Sequence, residues 1–228
     1  MGGILAISFD CYGTLIDWQT GILRAARPVL ARRGVTMADA EIVRKFAAAE
    51  RQAEKGAYIT YKGVLKRVMR ELMGDAAEGA SAEDVDALWR SIGEWPAFAD
   101  TAAGLKRLKA KFKVCIASNV DNDLFALTQP KLGIKPDVVV TAEQVCSYKP
   151  AEGHFRELLA RLGLKPEQVL HAGESVYHDV EPASGMGFQT VWVDRQRGRV
   201  SASGGGERDG RADMVVGSVG ELADALRC

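Results

Sequence analysis

Three features are scarce in this chain of 228 residues: net charge, long apolar runs and cysteine. Its 30 basic and 30 acidic side chains cancel, so it lacks the long-range field on which nucleic-acid and anionic-membrane binding usually relies. Apolar stretches such as residues 138–140 and 214–216 fall far short of the roughly 20 residues that a membrane-spanning helix needs. We therefore expect neither a nucleic-acid partner nor a membrane partner.

The cysteines are few and scattered. Cys11, Cys115, Cys146 and Cys228 have neither CxxC spacing nor the spacing of metal ligands, which is typical of a protein in a reducing compartment. An apolar segment at residues 4–7 opens the chain without a basic start or a small-residue cleavage site, so we expect no secretory signal. Together these features predict a cytoplasmic protein.

The composition that remains is that of a globular protein. Hydrophobic residues make up 47% of the chain and charged residues 26%, which excludes a disordered chain. The length suits one large domain, or a core with a smaller insert, and is ample to bury a hydrophobic core.

The periodicity of apolar residues changes along the chain. Residues 20–108 repeat apolar side chains at helical spacing almost throughout, whereas strands and helices alternate from about residue 98 onward. Short apolar runs predict strands at residues 4–9, 113–119, 138–140, 169–173, 189–194 and 214–217. A stretch rich in Gly and Ser at residues 201–210 predicts a mobile surface loop.

This pattern predicts an α/β fold. Alternating strands and helices form a parallel sheet covered by helices, and the first strand is separated from the others by about 80 helical residues. We predict a Rossmann-like, doubly wound core formed by residues 1–16 and 97–228. A helical cap formed by residues 17–96 is inserted after the first strand.

Polar side chains follow the predicted strands at their carboxyl ends, where open parallel sheets place their active sites. These candidates are Asp10, Thr14, Ser118, Asn119, Glu174, Ser175 and Asp179, with Lys149 in the loop after the third strand. Carboxylates that converge raise one another's pKa, and Lys149 would oppose that effect and keep Asp10 ionised as a nucleophile.

Four segments together resemble the motifs of the haloacid dehalogenase superfamily. They are Phe-Asp-Cys-Tyr-Gly-Thr-Leu at residues 9–15, Ala-Ser-Asn at 117–119, Tyr-Lys-Pro at 148–150 and Gly-Glu-Ser-Val-Tyr-His-Asp at 173–179. The resemblance implies a Rossmann-like core, a helical cap after the first strand, and Asp10 as the covalent nucleophile.

The residue at position 12 separates two chemistries within that superfamily. Its phosphatases usually carry an Asp there, which protonates the leaving alcohol, whereas this chain has Tyr12. The Asp-x-Tyr-Gly-Thr form resembles the L-2-haloacid dehalogenases (type II), whose halide leaves as a stable anion and needs no general acid. The resemblance implies a hydrolase that removes halide from a small, anionic 2-halocarboxylic acid without a metal or other cofactor.

The same resemblance implies roles for particular residues. Asp10 would attack the carbon that bears the halogen, and Asp179 would serve as the base for water in the second step. The implied catalytic residues are Asp10, Thr14, Lys149 and Asp179, and the implied substrate-binding residues are Tyr12, Tyr61, Ser118 and Asn119.

Some positions depart from the dehalogenase pattern. The arginine with which those enzymes clamp the substrate carboxylate has no clear counterpart, although Arg44 and Arg51 lie near the expected helix. Phe155 stands where a Tyr is expected, and Val176 where an Asn is expected. Glu174 occupies the position at which the phosphatases hold magnesium.

Two alternatives therefore stay open. One is a Mg²⁺-dependent small-molecule phosphatase in which Asp10 accepts the phosphoryl group and Asp10, Glu174 and Asp179 bind the metal. The other is a catalytically weak member of the superfamily that binds a small anion or a protein partner through its cap. A homodimer is compatible with either.

Overall fold

The structure is a computed structural model that describes residues 3–196 and 212–228. The loop predicted at residues 201–210 lies outside the described residues. The strands are β1 (Ala6–Phe9), β2 (Lys113–Ser118), β3 (Val138–Thr141), β4 (Val169–Gly173), β5 (Gln189–Val193) and β6 (Met214–Val216). The helices are α1 (Trp18–Arg32), α2 (Asp39–Ala53), α3 (Tyr61–Met73), α4 (Ala82–Ser91), α5 (Thr101–Lys109), α6 (Asn122–Thr128), α7 (Ala142–Val145), α8 (Gly153–Leu162), α9 (Glu181–Gly185) and α10 (Val219–Ala225).

The six strands of the described residues form one parallel sheet in the order β3-β2-β1-β4-β5-β6. Strand β1 lies in the interior of the sheet, and its four residues are all buried. Burial on both faces explains why this strand is an unbroken apolar run apart from Ser8 rather than an alternating one. The predicted doubly wound parallel sheet is confirmed.

The strand order places a crevice at the end of β1. The chain moves outward from β1 through β2 to β3, and then crosses to the other side of β1 to form β4. In open α/β sheets such a reversal of strand order leaves a crevice at the carboxyl ends of the two strands. Asp10, which directly follows β1, lies at this point.

In the sequence, helices α1 to α4 follow β1 and precede all the other strands of the sheet. They pack against one another. The predicted apolar stripe of α3 is buried through Val64, Leu65, Val68 and Leu72. Ser81 caps the start of helix α4, since its hydroxyl accepts a hydrogen bond from the backbone N–H of Asp84 at 3.1 Å.

The chain enters and leaves this helical segment at adjacent points. The backbone N–H of Asp17 donates to the carbonyl of Pro96 at 2.8 Å, and Ile16 pairs with Ala97 in an antiparallel bridge. The predicted boundaries after residues 16 and 96 fall at this crossing. The division into a core and a cap stays a prediction.

Within residues 3–196 and 212–228, none of the helices combines the length and the apolar character needed to cross a bilayer.

Candidate active site

A pocket with about 690 Å³ of empty volume, part of it open to solvent, lies between the carboxyl ends of the central strands and helix α2. Seven of the eight predicted catalytic and substrate-binding residues line it, and Thr14 lies directly behind Asp10. The seven are Asp10, Tyr12, Tyr61, Ser118, Asn119, Lys149 and Asp179.

Lys149 connects the two predicted catalytic carboxylates. Its Nζ donates to Asp10 Oδ1 at 2.9 Å and to Asp179 Oδ1 at 2.5 Å, and it also donates to the backbone carbonyl of Ala117 at 2.8 Å. An ammonium group has three N–H donors, so these contacts use all of them. The Lys149 side chain is completely buried, and it therefore acts as a fixed positive charge between Asp10 and Asp179.

Thr14 holds the other oxygen of Asp10. Its hydroxyl donates to Asp10 Oδ2 at 2.8 Å and accepts a hydrogen bond from the backbone N–H of Glu174 at 2.9 Å. Both oxygens of Asp10 are thus oriented by neighbours from other parts of the sheet edge.

The charges of this cluster depend on a balance between burial and pairing. Burial raises the pKa of Asp10 above its ordinary value, and the attraction of Lys149 only partly opposes it. Burial would also raise the pKa of Asp179, but Lys149 and His171 lower it well below its usual range. Burial disfavours the charged form of Lys149, yet the two carboxylates raise its pKa above its usual value. At neutral pH, Lys149 is therefore positively charged and Asp179 negatively charged.

Ser118 and Asn119 follow strand β2 and differ in their contacts. The Asn119 carboxamide accepts a hydrogen bond from the backbone N–H of Lys149 at 2.8 Å and donates to the carbonyl of the same residue at 3.2 Å, so it fixes the Lys149 loop. The Ser118 side chain is fully buried, and its Oγ has no hydrogen-bond partner among the described residues. Ser118 therefore brings an unused polar group to the pocket wall.

Both predicted tyrosines line the pocket. The Tyr12 hydroxyl forms a 2.9 Å hydrogen bond with Thr128, and burial raises its pKa well above the usual value. Tyr61, at the start of α3, donates to Glu50 Oε1 at 2.5 Å. Both hydroxyl groups are therefore neutral at physiological pH.

Three histidines surround the cluster, and the sequence alone suggests structural roles for them. His171 Nε2 lies 3.1 Å from Asp179 Oδ1, while its Nδ1 lies 2.7 Å from the Ser8 hydroxyl. His154 Nε2 lies 3.1 Å from the Ser118 carbonyl. His178 lines the pocket, and burial lowers its pKa to about 4. His171 thus helps to orient Asp179, a contact that no local sequence pattern indicates.

The carboxyl end of helix α2 contributes three charged residues to the pocket, and of these the sequence pointed only to Arg51. Glu50, Arg51 and Glu54 line the pocket, whereas Arg44, the other candidate for a clamping arginine, is exposed. Residues four apart on a helix share one face, so the sequence puts Glu50 and Glu54 on the same side of α2 without showing that this side faces the pocket. Trp95, just before the crossing at Pro96, is a further lining residue.

The residues proposed for magnesium in the phosphatase alternative do not form a metal site in this arrangement. No group of three or more His, Cys, Asp or Glu residues among those that the structure describes is placed to hold a metal ion. Lys149 Nζ already binds Oδ1 of both Asp10 and Asp179. Glu174, the third residue proposed for magnesium, also lines the pocket.

Comparison with known proteins identifies the family. A family model of haloacid dehalogenase-like hydrolases matches residues 4–187. The chain belongs to this family, and it is an enzyme of the hydrolase class. The resemblance that the four motifs carry is thereby confirmed.

Individual relatives include enzymes of two kinds. The chain is 24% identical over 229 aligned positions to an (S)-2-haloacid dehalogenase of Pseudomonas putida, covering 99% of this chain and 98% of that protein. It is 33% identical over 99 positions to a glyceraldehyde 3-phosphate phosphatase of Methanocaldococcus jannaschii, covering 42% of this chain and 41% of that protein. Full-length similarity is therefore to a dehalogenase.

The fold agrees with that of solved dehalogenases. An L-2-haloacid dehalogenase from Xanthobacter autotrophicus superposes with a TM-score of 0.82 at 21% identity, covering 98% of both chains. At this level of identity the likeness concerns the fold.

Proposed function

We propose that this hydrolase removes halide from a small 2-halocarboxylic acid through an ester on Asp10, without a metal. The observation that carries the proposal is the environment of position 12. Tyr12 stands where the superfamily's phosphatases hold their general acid, and its hydroxyl is engaged with Thr128 and has a raised pKa. A halide leaves without being protonated, whereas an alcohol needs a proton.

The first step would be a displacement at the carbon that bears the halogen. A carboxylate oxygen of Asp10 forms a bond to that carbon, and the carbon–halogen bond breaks with its electron pair on the departing halide. Lys149 and Thr14 hold the Asp10 carboxyl group in one orientation, which keeps an oxygen directed toward the pocket. The product is an ester between Asp10 and the substrate.

The second step would be hydrolysis of that ester. Water attacks the Asp10 carboxyl carbon, which releases a 2-hydroxy acid and restores the Asp10 carboxylate with the loss of one proton. Asp179 is ionised and buried beside Lys149, so it is available to orient the water and accept its proton. Its lowered pKa makes it a weak base, and His171 at 3.1 Å shares the stabilisation of its charge.

One assay tests the proposal. The protein is incubated with 2-chloropropionate and, separately, with a phosphate monoester, each in the presence of Mg²⁺ or EDTA. We expect chloride release that survives EDTA, and we expect an Asp10→Asn variant to lose it by at least about 10³-fold. Full turnover by that variant would show that Asp10 is not the nucleophile.

The same assay decides about the phosphatase alternative. Two observations favour that alternative: Glu174 lines the pocket, and part of the chain is similar to a phosphatase. Phosphate release that requires Mg²⁺, without chloride release, would replace the dehalogenase proposal. The absence of both activities from the folded protein would favour the catalytically weak family member.

A further inference from the structure

Two carboxyl groups of helix α2 lie at the pocket, although their placement does not stabilise the fold. Glu50 and Glu54 lie one helical turn apart at the carboxyl end of α2, and both line the pocket. Like charges at this spacing repel each other, and the negative end of the helix dipole disfavours them further. Burial raises the pKa of Glu50 to about 7, and burial together with Glu50 raises that of Glu54 well above its usual value. The pair therefore costs stability when no ligand is bound.

The two carboxyl groups are nevertheless held in defined orientations. The Tyr61 hydroxyl donates to Glu50 Oε1 at 2.5 Å, and the Asn119 carboxamide lies 3.4 and 3.5 Å from the two oxygens of Glu54. These neighbours act as donors, so they lower the pKa of each carboxyl group and partly oppose the effect of burial. Each carboxylate has about four acceptor positions, and these contacts use one on Glu50 and one on each oxygen of Glu54.

The pocket is lined by more acidic than basic side chains. Its lining contains five acidic side chains and two basic ones, Lys149 and Arg51. The three N–H groups of Lys149 donate to Asp10, Asp179 and the Ala117 carbonyl, so none is left to donate to a substrate carboxylate. A ligand that carries a positive group would offset the excess of carboxylates.

Ser118 provides an independent sign of a polar ligand. Its side chain is fully buried and lines the same pocket, and its Oγ has no hydrogen-bond partner among the described residues. A buried hydroxyl without a partner costs free energy, and a bound polar group would remove that cost. The pocket thus offers a hydroxyl beside the nucleophile and carboxylates on α2.

We propose that Glu50 and Glu54 form a subsite for a primary ammonium group of the substrate. Resting on the proposed dehalogenation, this makes the substrate a 2-halo acid whose side chain ends in an amine. The carboxylates on α2 bind the ammonium, while Asp10 faces the carbon that bears the halogen. The opposing hypothesis is that both glutamic acids are protonated and donate hydrogen bonds to a substrate carboxylate.

Direct binding of small probes tests the subsite without any turnover. Propylammonium, 1-propanol and propionate have similar sizes and differ in charge, and their binding is measured by NMR titration at about pH 8. We expect propylammonium to bind at least about tenfold more tightly than 1-propanol, as a charge-assisted hydrogen bond would produce. Equal binding of these two probes, or preferred binding of propionate, would overturn the proposal.

Matched variants assign the preference to the two glutamates. Glu50→Gln and Glu54→Gln keep the side-chain shape and should each reduce the preference for propylammonium about tenfold or more. Glu71→Gln removes the same charge from an exposed position on α3 and should leave the preference unchanged. Circular dichroism establishes that each variant is folded. A preference that survives in both pocket variants would contradict the subsite.

A second measurement separates this inference from the proposed function. The values of kcat/KM for chloride release are compared for 4-amino-2-chlorobutanoate and its methyl analogue 2-chloropentanoate. We expect the amino acid to be preferred by about tenfold or more, and Glu50→Gln to remove the preference. Preference for the methyl analogue would overturn the inference while leaving dehalogenation intact. If neither compound loses chloride but propylammonium still binds in a manner dependent on Glu50, the subsite is supported and the dehalogenase proposal fails.

Discussion

At the scale of single residues, the pocket depends on the charge of Lys149. Its ammonium group is buried between Asp10 and Asp179, and the like charges of these carboxylates repel each other. Removing one partner from a buried ion pair leaves an uncompensated charge, which costs far more than the loss of an exposed pair. Lys149 therefore contributes to folding as well as to the proposed reaction.

Replacing Lys149 with Met, which has a similar volume, should lower the free energy of unfolding by about 3–5 kcal/mol. Urea unfolding followed by circular dichroism measures this change. Lys109→Met is the matched control, because it breaks the partly exposed ion pair between Lys109 and Asp137 and should cost less than about 1 kcal/mol. Equal losses in the two variants would show that the buried charge of Lys149 does not stabilise the fold.

His154 links stability to pH. Its side chain is fully buried, and burial together with the charge of Lys149 lowers its pKa to about 3. In the unfolded chain a histidine binds a proton near pH 6.5, so its contribution is fully present above that pH and is lost as the pH falls. The loss is at most about 1.4 kcal/mol per pH unit.

We therefore expect His154→Gln to lose this contribution to the pH dependence between about pH 6.5 and 5. The quantity measured is the difference in the free energy of unfolding between the variant and the parent protein across that range. Glu50, whose raised pKa acts in the opposite direction, is present in both proteins and cancels from the difference. A difference that stays constant with pH would show that His154 is not held neutral in the fold.

Some residues of the pocket are predictable from the sequence and others are not, and the difference has a physical cause. Asp10, Lys149 and Asp179 could be found because each follows a strand, and the ends of parallel strands meet at one edge of the sheet. Glu50 and Glu54 could not be placed, because the direction that their helix faces depends on packing between α2 and the sheet. The contact between His171 and Asp179 joins a buried strand residue to a loop, and no local pattern encodes it.

At the scale of the elements, the first turn of helix α3 is capped by Asp121, a residue that follows strand β2. The backbone N–H groups of Tyr61 and Lys62 donate to the two oxygens of Asp121 at 2.7 and 2.9 Å. Asp121 follows β2 and is almost completely buried. A carboxylate at this position satisfies free N–H groups of the helix and interacts favourably with its dipole. Asp121 thereby fixes the start of α3, which carries Tyr61 into the pocket.

We expect Asp121→Ala to lower the free energy of unfolding by about 1–2 kcal/mol, as the loss of a helix cap does. The control is Asp123→Ala, which removes an exposed partner of Lys62 and should have little effect. Hydrogen exchange should accelerate in the first turn of α3 for Asp121→Ala alone. Unchanged exchange there would contradict the role of Asp121 as a cap.

The elements themselves were the most predictable level of the structure. Each described strand overlaps a predicted apolar run, and Ser81, the cap of α4, directly precedes that helix in the sequence. The start of α3 shows that a local pattern predicts only those caps that are close to the helix in the sequence. Thr60 occupies the local cap position, but the second cap, Asp121, comes from 60 residues further along the chain.

At the scale of the whole molecule, the predicted cap and core share one hydrophobic cluster. It extends from the sheet residues Ile7 and Phe9 through Trp95 to Leu65 and Met69 of α3. The sequence predicts that the chain crosses between the two halves after residues 16 and 96, and this division stays a prediction. It did not indicate how much apolar surface the halves bury against each other, because that depends on side chains distant in sequence.

Shared packing predicts that the two halves unfold together, although the chain is longer than the roughly 150 residues below which a single cooperative transition is usual. Native-state hydrogen exchange at increasing urea compares the slowest amides of α3 with those of β4, which lies in the sheet half. We expect the amides of α3 and β4 to have the same free energy of opening and the same urea dependence. The reason is that unfolding α3 removes side chains from the hydrophobic cluster that it shares with the sheet. Deletion of the contact at Trp95, through Trp95→Ala, should destabilise both regions equally. If α3 opened at lower urea while β4 stayed protected, the helical segment would be an independent folding unit and the shared cluster would not couple the halves.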